Sequence, residues 1–363
     1  MKKSHVLVLQ GGTSAEHEVS LASGKMVAEG LSPDKYAVTL VTITKEGTWL
    51  LPDTSERYDA TVHHNRAPFA IVYQSGEAMD EIRGRGFDAV FIALHGTHGE
   101  DGSIQGVLEL AAIPYTGSGV LASALAMDKV KSAEILQFHG LAVPKYISFN
   151  HPEWSSQPAV ITSQIATMFG FPVVIKPCDS GSSVGISLVQ NLEGLADAIE
   201  RSLIERPRVI AQEFIKGVEV TCPVLDDGRD EVTPLPPIEI VPTSEVFYNY
   251  EAKYASGGSD HIIPPRLADA TIASIQKIAA RAHQALGCSG MSRTDMIVRD
   301  NEIFVLEVNT IPGLTNTSLL PHAAAAAGMD FSALLDHLIQ SAINRFHPTN
   351  AVYAIQSNHT KQV

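Results

Sequence analysis

Residues 291–313 read "MSRTDMIVRDNEIFVLEVNTIPG", two apolar strands folded back around Arg299–Asn301. Each strand carries polar groups at alternate positions, Arg293 and Asp295 on the first, Glu307 and Asn309 on the second. Side chains two apart share one face of a strand. With a three-residue loop near Asp300 and Asn301 left-handed, Arg293 falls opposite Glu307 and Asp295 opposite Val305, and all four polar groups gather on one face. Asp295, Glu307 and Asn309 then supply only oxygen donors, a set that suits magnesium, which keeps several waters and bridges to phosphates. The competing reading is a solvated sheet face with an Arg–Glu pair. Such a face rarely ends in "NTIPG", which favours the metal.

A metal that bridges phosphates calls for a phosphate grip elsewhere in the chain. "KPCDSGSSVG", Lys176 to Gly185, places a lysine before a loop of small residues, and "GISLVQ" after it reads as a strand. A Walker A loop has its lysine after the glycines and opens a helix, so this is a different device. Strand, small-residue loop and strand describe a lid whose amides and hydroxyls close over phosphates; a hairpin connection with a surface lysine fits this stretch equally. "TGSGVLA", Thr116 to Ala122, approaches a dinucleotide fingerprint, but its preceding strand is short and no acidic partner follows at the required distance. It reads as a helix-entry turn. In "HGTHGEDG", residues 95–102, His95, His98, Glu100 and Asp101 lie on a glycine-rich turn without the spacing of a zinc site. A substrate loop at the carboxyl end of the strand "FDAVFIAL" is the better reading, because open parallel sheets bind ligands there.

The N-terminal part alternates strand-like runs ("HVLVLQGG", "YAVTLVTIT", "FDAVFIAL") with helical patterns, as in a doubly wound parallel sheet. Its first helix has a stripe of Ala15, Val19, Ala22 and Met26, introduced by Thr13 and Glu16 at capping-box spacing. Residues 121–216 read as a small α+β unit, with helices near Lys129–His139, Ser163–Phe169 and Leu192–Ile204. Residues 217–363 add strands, a polar and aromatic loop, a helix over Leu267–Leu286, the hairpin and two terminal helices, with fraying expected from about Thr349. The expected sections are therefore 1–120, 121–216 and 217–363. A net charge of −14 over 363 residues argues against nucleic acid or an anionic membrane as partner. Three scattered cysteines argue against a disulfide framework. The apolar run Val6–Leu9 is too short for a signal peptide and no later run suffices to span a bilayer. A cytoplasmic setting is expected.

Eight stretches, "GGTSAEHEVS", "ALHGTHGEDGSIQG", "PYTGSG", "MDK", "KPCDSGSSVG", "YNYEAKY", "SRTD" and "LEVNTIPGLTNTSLLP", stand in an order and spacing that resemble the D-alanine-D-alanine ligase family of the ATP-grasp superfamily, over residues 4 to about 346. The resemblance implies an ATP-grasp fold, ATP and magnesium (two ions, with manganese able to substitute), D-alanine as substrate, and a homodimer. It implies that Lys129, Lys176 and Lys253 hold phosphates and that Glu213 and Glu219 contact adenine and ribose. It implies that Glu18 receives the ammonium of the first D-alanine and joins Ser182 and Tyr254 in closing the site, with His95 beside that substrate. Arg293 and the Gly313 amide would hold the developing oxyanion, and Ser318 and Leu319 would receive the second carboxylate at a helix start. Asp295, Glu307 and Asn309 match the metal ligands. The departures are few, among them His17 where relatives often have arginine. Another ATP-grasp carboxylate–amine ligase, or a nicotinamide-dependent dehydrogenase using the "GSGVLA" turn, are the alternatives.

Overall fold

The computed structural model describes residues 3–52, 70–181, 185–229, 231–242 and 259–358, with side chains through Phe346. Ser182, Lys253 and Tyr254 lie outside the described residues. Strand β1 (Ser4–Gly11) pairs in parallel with β2 (Tyr36–Ile43) and β5 (Ala89–Ile92). Its core residues Val6 to Leu9 are covered on both faces, which is why the run is continuously apolar rather than alternating. The antiparallel strands β3 (Trp49–Pro52) and β4 (Ala70–Tyr73) extend the sheet to the order β4-β3-β2-β1-β5. The expected parallel unit is therefore its three-stranded half.

Helix α1 (His17–Gly30) departs from the expected stripe. Ala15 and Ala22 face solvent, whereas His17, Ser20, Ser23, Gly24 and Val27 are buried. The reason is hydrogen bonding to the sheet. Ser20 Oγ accepts from the Gly11 amide at 2.8 Å and donates to the Ala93 carbonyl at 2.7 Å. No side chain caps this helix, so the Thr13–Glu16 box does not form; Thr13 Oγ1 meets His98 Nδ1 instead, at 3.0 Å.

After α2 (Ser75–Arg85) and α3 (Ser103–Leu110), the "GSGVLA" turn enters α4 (Val120–Met127) as expected, and α5 (Lys129–Phe138) follows. Asp128 caps α5 by accepting from the amides of Val130 and Lys131. Next comes an antiparallel sheet in the order β6-β9-β7-β8, from β6 (Tyr146–Asn150), β7 (Val173–Pro177), β8 (Ser187–Val189) and β9 (Arg208–Glu213). It is covered by α6 (His151–Ser156), α7 (Pro158–Met168) and α8 (Leu195–Glu205), and has its own core around Ile165, Ile175 and Leu195.

The third sheet runs β13-β12-β10-β14-β15, with β11 (Val232–Pro234) paired to β10 (Val218–Asp226). Its other strands are β12 (Ile238–Pro242), β13 (Ser259–Ile262), β14 (Met291–Arg299) and β15 (Glu302–Asn309). Helix α9 (Asp269–Leu286), ended by left-handed Gly287, covers it together with α4 and α5. The last helices, α10 (Leu319–Ala326) and α11 (Phe331–Asn358), return to the first sheet. Helix α11 runs on through the residues expected to fray.

The β14–β15 connection corrects the three-residue loop. Arg299 pairs with Glu302, which leaves two turn residues, Asp300 (φ 49°) and Asn301 (φ 68°), both left-handed as a type I′ turn requires. A two-residue turn alone would put Glu307 on the face opposite Asp295. A bulge between Asp295 and Met296 accommodates Leu306 as an extra residue, so Asp295 pairs with Glu307 and Arg293 with Asn309. The four polar groups do share a face, for this different reason.

Candidate active site

The three sheets meet around an open cleft, about 820 Å³ of empty space when the solvent at its mouth is included. Its floor is the polar face of β14 and β15. Arg293 donates to both oxygens of Asp295 at 2.8 Å, and Asp295 also accepts from Thr221 Oγ1 at 2.6 Å and Asn309 Nδ2 at 3.1 Å. Across the strand pair, Glu307 lies 3.3 Å from Lys129 Nζ, which also donates to the Ser180 carbonyl at 2.7 Å. A second, smaller recess bordered by Lys129, Ser180 and Glu307 adjoins the cleft. Lys129 thus ties the lid loop to the carboxylate floor.

These residues fit a hard divalent cation. Asp295 and Glu307 stand directly opposite in register, Asn309 adds an amide oxygen, and the cleft offers no sulfur ligand. Among the described residues no group of three His, Cys, Asp or Glu is placed to hold a metal, so the set reaches three only through Asn309. His98 is exposed, and Asp101 accepts from the amides of His98 and Ser103, so "HGTHGEDG" is built as a turn rather than a metal cluster.

The wall opposite the hairpin is the loop after β5. His95 is buried and lies 3.0 Å from Ser23 Oγ; burial holds its imidazole below the usual range, with Glu16 opposing that shift and Arg293 adding to it. Glu100 accepts from the Gly96 amide at 2.6 Å and from the Ile311 amide. Burial, then the nearby charge of Glu16, push its carboxyl well above the ordinary carboxylate range. Gly313 and Ser318 close the cleft: a Cβ on Gly313 would come 2.7 Å from Ser318 Oγ, so any larger residue would push the Ser318 side chain aside. Ser318 is the N-cap residue of α10 and Leu319 its first, and both border the cleft.

One placement differs from expectation. Glu18 points outward, with 72% of its side chain exposed, and pairs with Lys45 at 2.9 Å, an interaction that lowers its carboxyl pKa. The cleft receives Glu16 instead, which is only 7% exposed. The signal was available: residue 16 continues the buried row of Ser20, Ser23 and Val27, whereas residue 18 does not. Lys176 is no surface lysine, being only 6% exposed near the carboxyl end of β7. Glu213 ends β9, where it accepts from the Lys145 amide at 3.4 Å, and Glu219 lies on β10. Neither borders the cleft. Ser23 and Thr221 escaped the sequence reading altogether, and Glu100 entered it only as a member of the glycine-rich turn.

Compared with known proteins, residues 5–118 match the family described as D-ala D-ala ligase N-terminus and residues 135–340 that described as D-ala D-ala ligase C-terminus. The chain is 43% identical over 343 residues to a D-alanine--D-alanine ligase of Syntrophobacter fumaroxidans, covering 94% of this chain and 98% of the relative. Among solved structures, the D-alanine-D-alanine ligase from Coxiella burnetii aligns with a TM-score of 0.78 at 27% identity, covering both chains fully. The VanG D-Ala:D-Ser ligase from Enterococcus faecalis aligns with a TM-score of 0.76 at 33% identity, over 94% of this chain and 100% of that one. A ligase from Bacillus anthracis complexed with ATP aligns with a TM-score of 0.72 at 28% identity, over 95% of this chain and 99% of that one.

Proposed function

The chain belongs to the D-alanine–D-alanine ligase family, with the ATP-grasp fold, and from that premise we propose how its own residues join two D-alanines at the cost of ATP, for cell-wall precursor synthesis. The observation that carries the reading is one cleft holding Arg293, Gly313 and Ser318 on one side and Glu16 and His95 on the other.

Glu16 takes the role expected of Glu18 and holds the ammonium of the donor D-alanine beside His95. The donor carboxylate attacks the terminal phosphorus of ATP and ADP departs, leaving an acyl phosphate. The acceptor, as a free amine, then attacks the acyl carbon, the carbonyl oxygen gathers negative charge next to Arg293 and the Gly313 amide, and phosphate leaves with the proton that the nitrogen gives up as the peptide bond forms. Ser318 and the free amides at the start of α10 receive the acceptor carboxylate. Lys129 and Lys176 hold phosphate oxygens, and Glu213 and Glu219 take adenine and ribose. Magnesium held by Asp295, Glu307 and Asn309 would neutralise phosphate charge. No protein nucleophile is required, since positioning and charge neutralisation suffice. Acyl phosphates hydrolyse readily, so water exclusion matters; Gly181 of the lid loop already lies so close to Glu16 that a Cβ there would be 2.7 Å from its Oε2. Ser182, Lys253 and Tyr254 complete the cover in this reading.

ATP as substrate and the acidic composition support a cytoplasmic enzyme without nucleic-acid or membrane partners, and no described helix is long and apolar enough to cross a membrane. A homodimer belongs to the same proposal, with Leu110 of α3 and Leu121 of α4, exposed at 91% and 71%, as residues it would cover. The test of function is incubation with ATP, magnesium and D-alanine alone or in competition with D-serine, D-lactate or L-alanine, reading phosphate release and separating products. D-alanyl-D-alanine with one phosphate per dipeptide is the expected result. Absence of ATP-dependent dipeptide, or predominance of the D-serine or D-lactate product, would overturn the assignment.

A further inference from the structure

At the end of the cleft that holds Ser318, two imidazoles meet. His261, on β13, borders the cleft, and its Nδ1 lies 3.4 Å from Nδ1 of His322 on α10. The rings stand edge to face, with centroids 5.5 Å apart. Each ring has a second partner: His322 Nε2 is 2.8 Å from the Asn316 carbonyl, and His261 Nε2 is 3.3 Å from Ser259 Oγ.

Chemistry fixes the direction of this chain. A carbonyl oxygen only accepts, so His322 Nε2 carries a proton. With His322 as a neutral ring its Nδ1 is bare, and the proton between the two rings belongs to His261 Nδ1. A hydroxyl donates or accepts by rotation, so Ser259 donates to the remaining His261 nitrogen. The result is a one-way series, Ser259 to His261 to His322 to the Asn316 carbonyl, with every nitrogen used once. Burial, then the proximity of His322, hold His261 below the usual imidazole range; Arg293 from β14 adds to this and Asp260 on its own strand opposes it. Both rings neutral is the state the series needs.

The series ends on a loop that, among the described residues, has no other side-chain hydrogen bond to the third sheet. Asn316 and Thr317 are exposed. Within the loop, the Thr315 amide donates to Ser318 Oγ at 2.9 Å and the Ser318 amide to the Thr315 carbonyl at 3.0 Å, which shapes it without fixing it to the strands. On the N-terminal side, the Leu314 amide reaches Ser23 Oγ at 3.5 Å. His322 and His261 carry the connection on the other side, from the Asn316 carbonyl to β13.

We propose that His261 and His322 are positioning residues for the acceptor amino acid, holding the 315–318 loop so that Ser318 and the first amides of α10 stay aligned with the acceptor carboxylate. The inference rests on the ligase reading. Its test compares wild type, His322→Met, His322→Gln, His261→Phe and the double variant His261→Phe/His322→Met. The two D-alanine Michaelis constants are resolved from full saturation curves, alongside the KM for ATP, kcat and Tm. Dipeptide formation by wild type is read first, and its absence would refute the ligase reading itself and this inference with it. Given an active wild type, His322→Met should raise the acceptor KM roughly 5- to 10-fold, the effect of one lost hydrogen bond, while donor and ATP constants and kcat change less than about twofold. His322→Gln, which keeps a donor for the Asn316 carbonyl, should recover part of the loss. The double variant should be no worse than the worse single variant, because a series broken twice is still one broken series. An unchanged acceptor KM in His322→Met, strictly additive losses, or a parallel fall of all constants with Tm would each overturn the proposal.

Discussion

Gly96 and Gly181 have no room for a side chain because a carboxylate is already there: a Cβ on either would come 2.7 Å from Glu16 Oε2. Glu16 therefore sits where the loop after β5 meets the lid loop, whereas Glu18, one residue further into the helix than its buried face, pairs with Lys45 in solvent. Glu16→Gln should lower kcat/KM for D-alanine by roughly 10- to 100-fold, the effect of losing a charge-assisted contact of about 1.5–3 kcal/mol. Glu18→Ala should stay within about twofold of wild type, since an exposed ion pair contributes little. Steady-state kinetics of both variants decide the matter; the reverse ranking would return the role to Glu18. Side-chain placement was legible within each strand: period two alone puts Arg293 with Asp295, and Glu307 with Asn309. It failed at the start of α1, because "SAEHE" offers two glutamates and the apolar residues nearby point the wrong way. Small serines bonded to the sheet backbone mark the inner face there, a signal that hydrophobic periodicity does not register.

At the scale of the element, the β14–β15 hairpin shows how a correct face can follow from an incorrect loop. One extra residue is needed to bring Glu307 onto the face of Asp295, and either a third turn residue or a bulge supplies it. "RDNE" carries the turn signal openly, since Asp and Asn tolerate left-handed backbone better than other residues with a Cβ. Nothing in "FVLEVN" announces the bulge, which shows only in the register of β15 against β14. The turn lies at the far end of the hairpin from the cleft, so its conformational cost can be tested apart from catalysis. Asn301→Val should destabilise the protein by about 1–2 kcal/mol, the penalty of a left-handed residue with a Cβ, and a β-branched one at that. Asn301→Gly should be neutral or slightly stabilising. Urea unfolding of the two variants, with ligase activity measured at 25 °C as a control, checks this; equal stability of the valine and glycine forms would mean that the turn relaxes to another type.

Across the whole molecule, Asp226 at the end of β10 collects four donors. These are the Gly228 amide at 2.8 Å, the Gly290 amide at 2.7 Å, Ser341 Oγ at 3.1 Å and His283 Nε2 at 3.0 Å, so that β10, α9 and α11 and the start of β14 share one buried carboxylate. Burial alone would push its pKa up, but the His283 and amide hydrogen bonds hold it below the ordinary value of 3.8. A depressed acid stabilises the folded state fully above its unfolded pKa and loses that contribution as pH falls through the folded one. The wild type should therefore lose stability progressively below about pH 4. Asp226→Asn should be less stable at pH 7 by about 3 kcal/mol and show a shallower acid limb. Thermal unfolding between pH 3 and 8 measures both, and parallel curves for the two proteins would remove Asp226 from the acid response. The sequence announced two terminal helices without naming their partner, because an apolar stripe says that a face is buried but not against what. Here Leu334, Leu335, Leu338 and Ile339 of α11 belong to the same core as Val6 to Leu9 of β1. About 330 positions separate the two halves of that core, and a ribosome adding about 5–20 residues per second needs roughly 15–60 s to bring the second after the first. For that interval the nascent first sheet lacks its final cover, so the newborn chain depends on chaperone shelter or partial collapse until its last helix emerges.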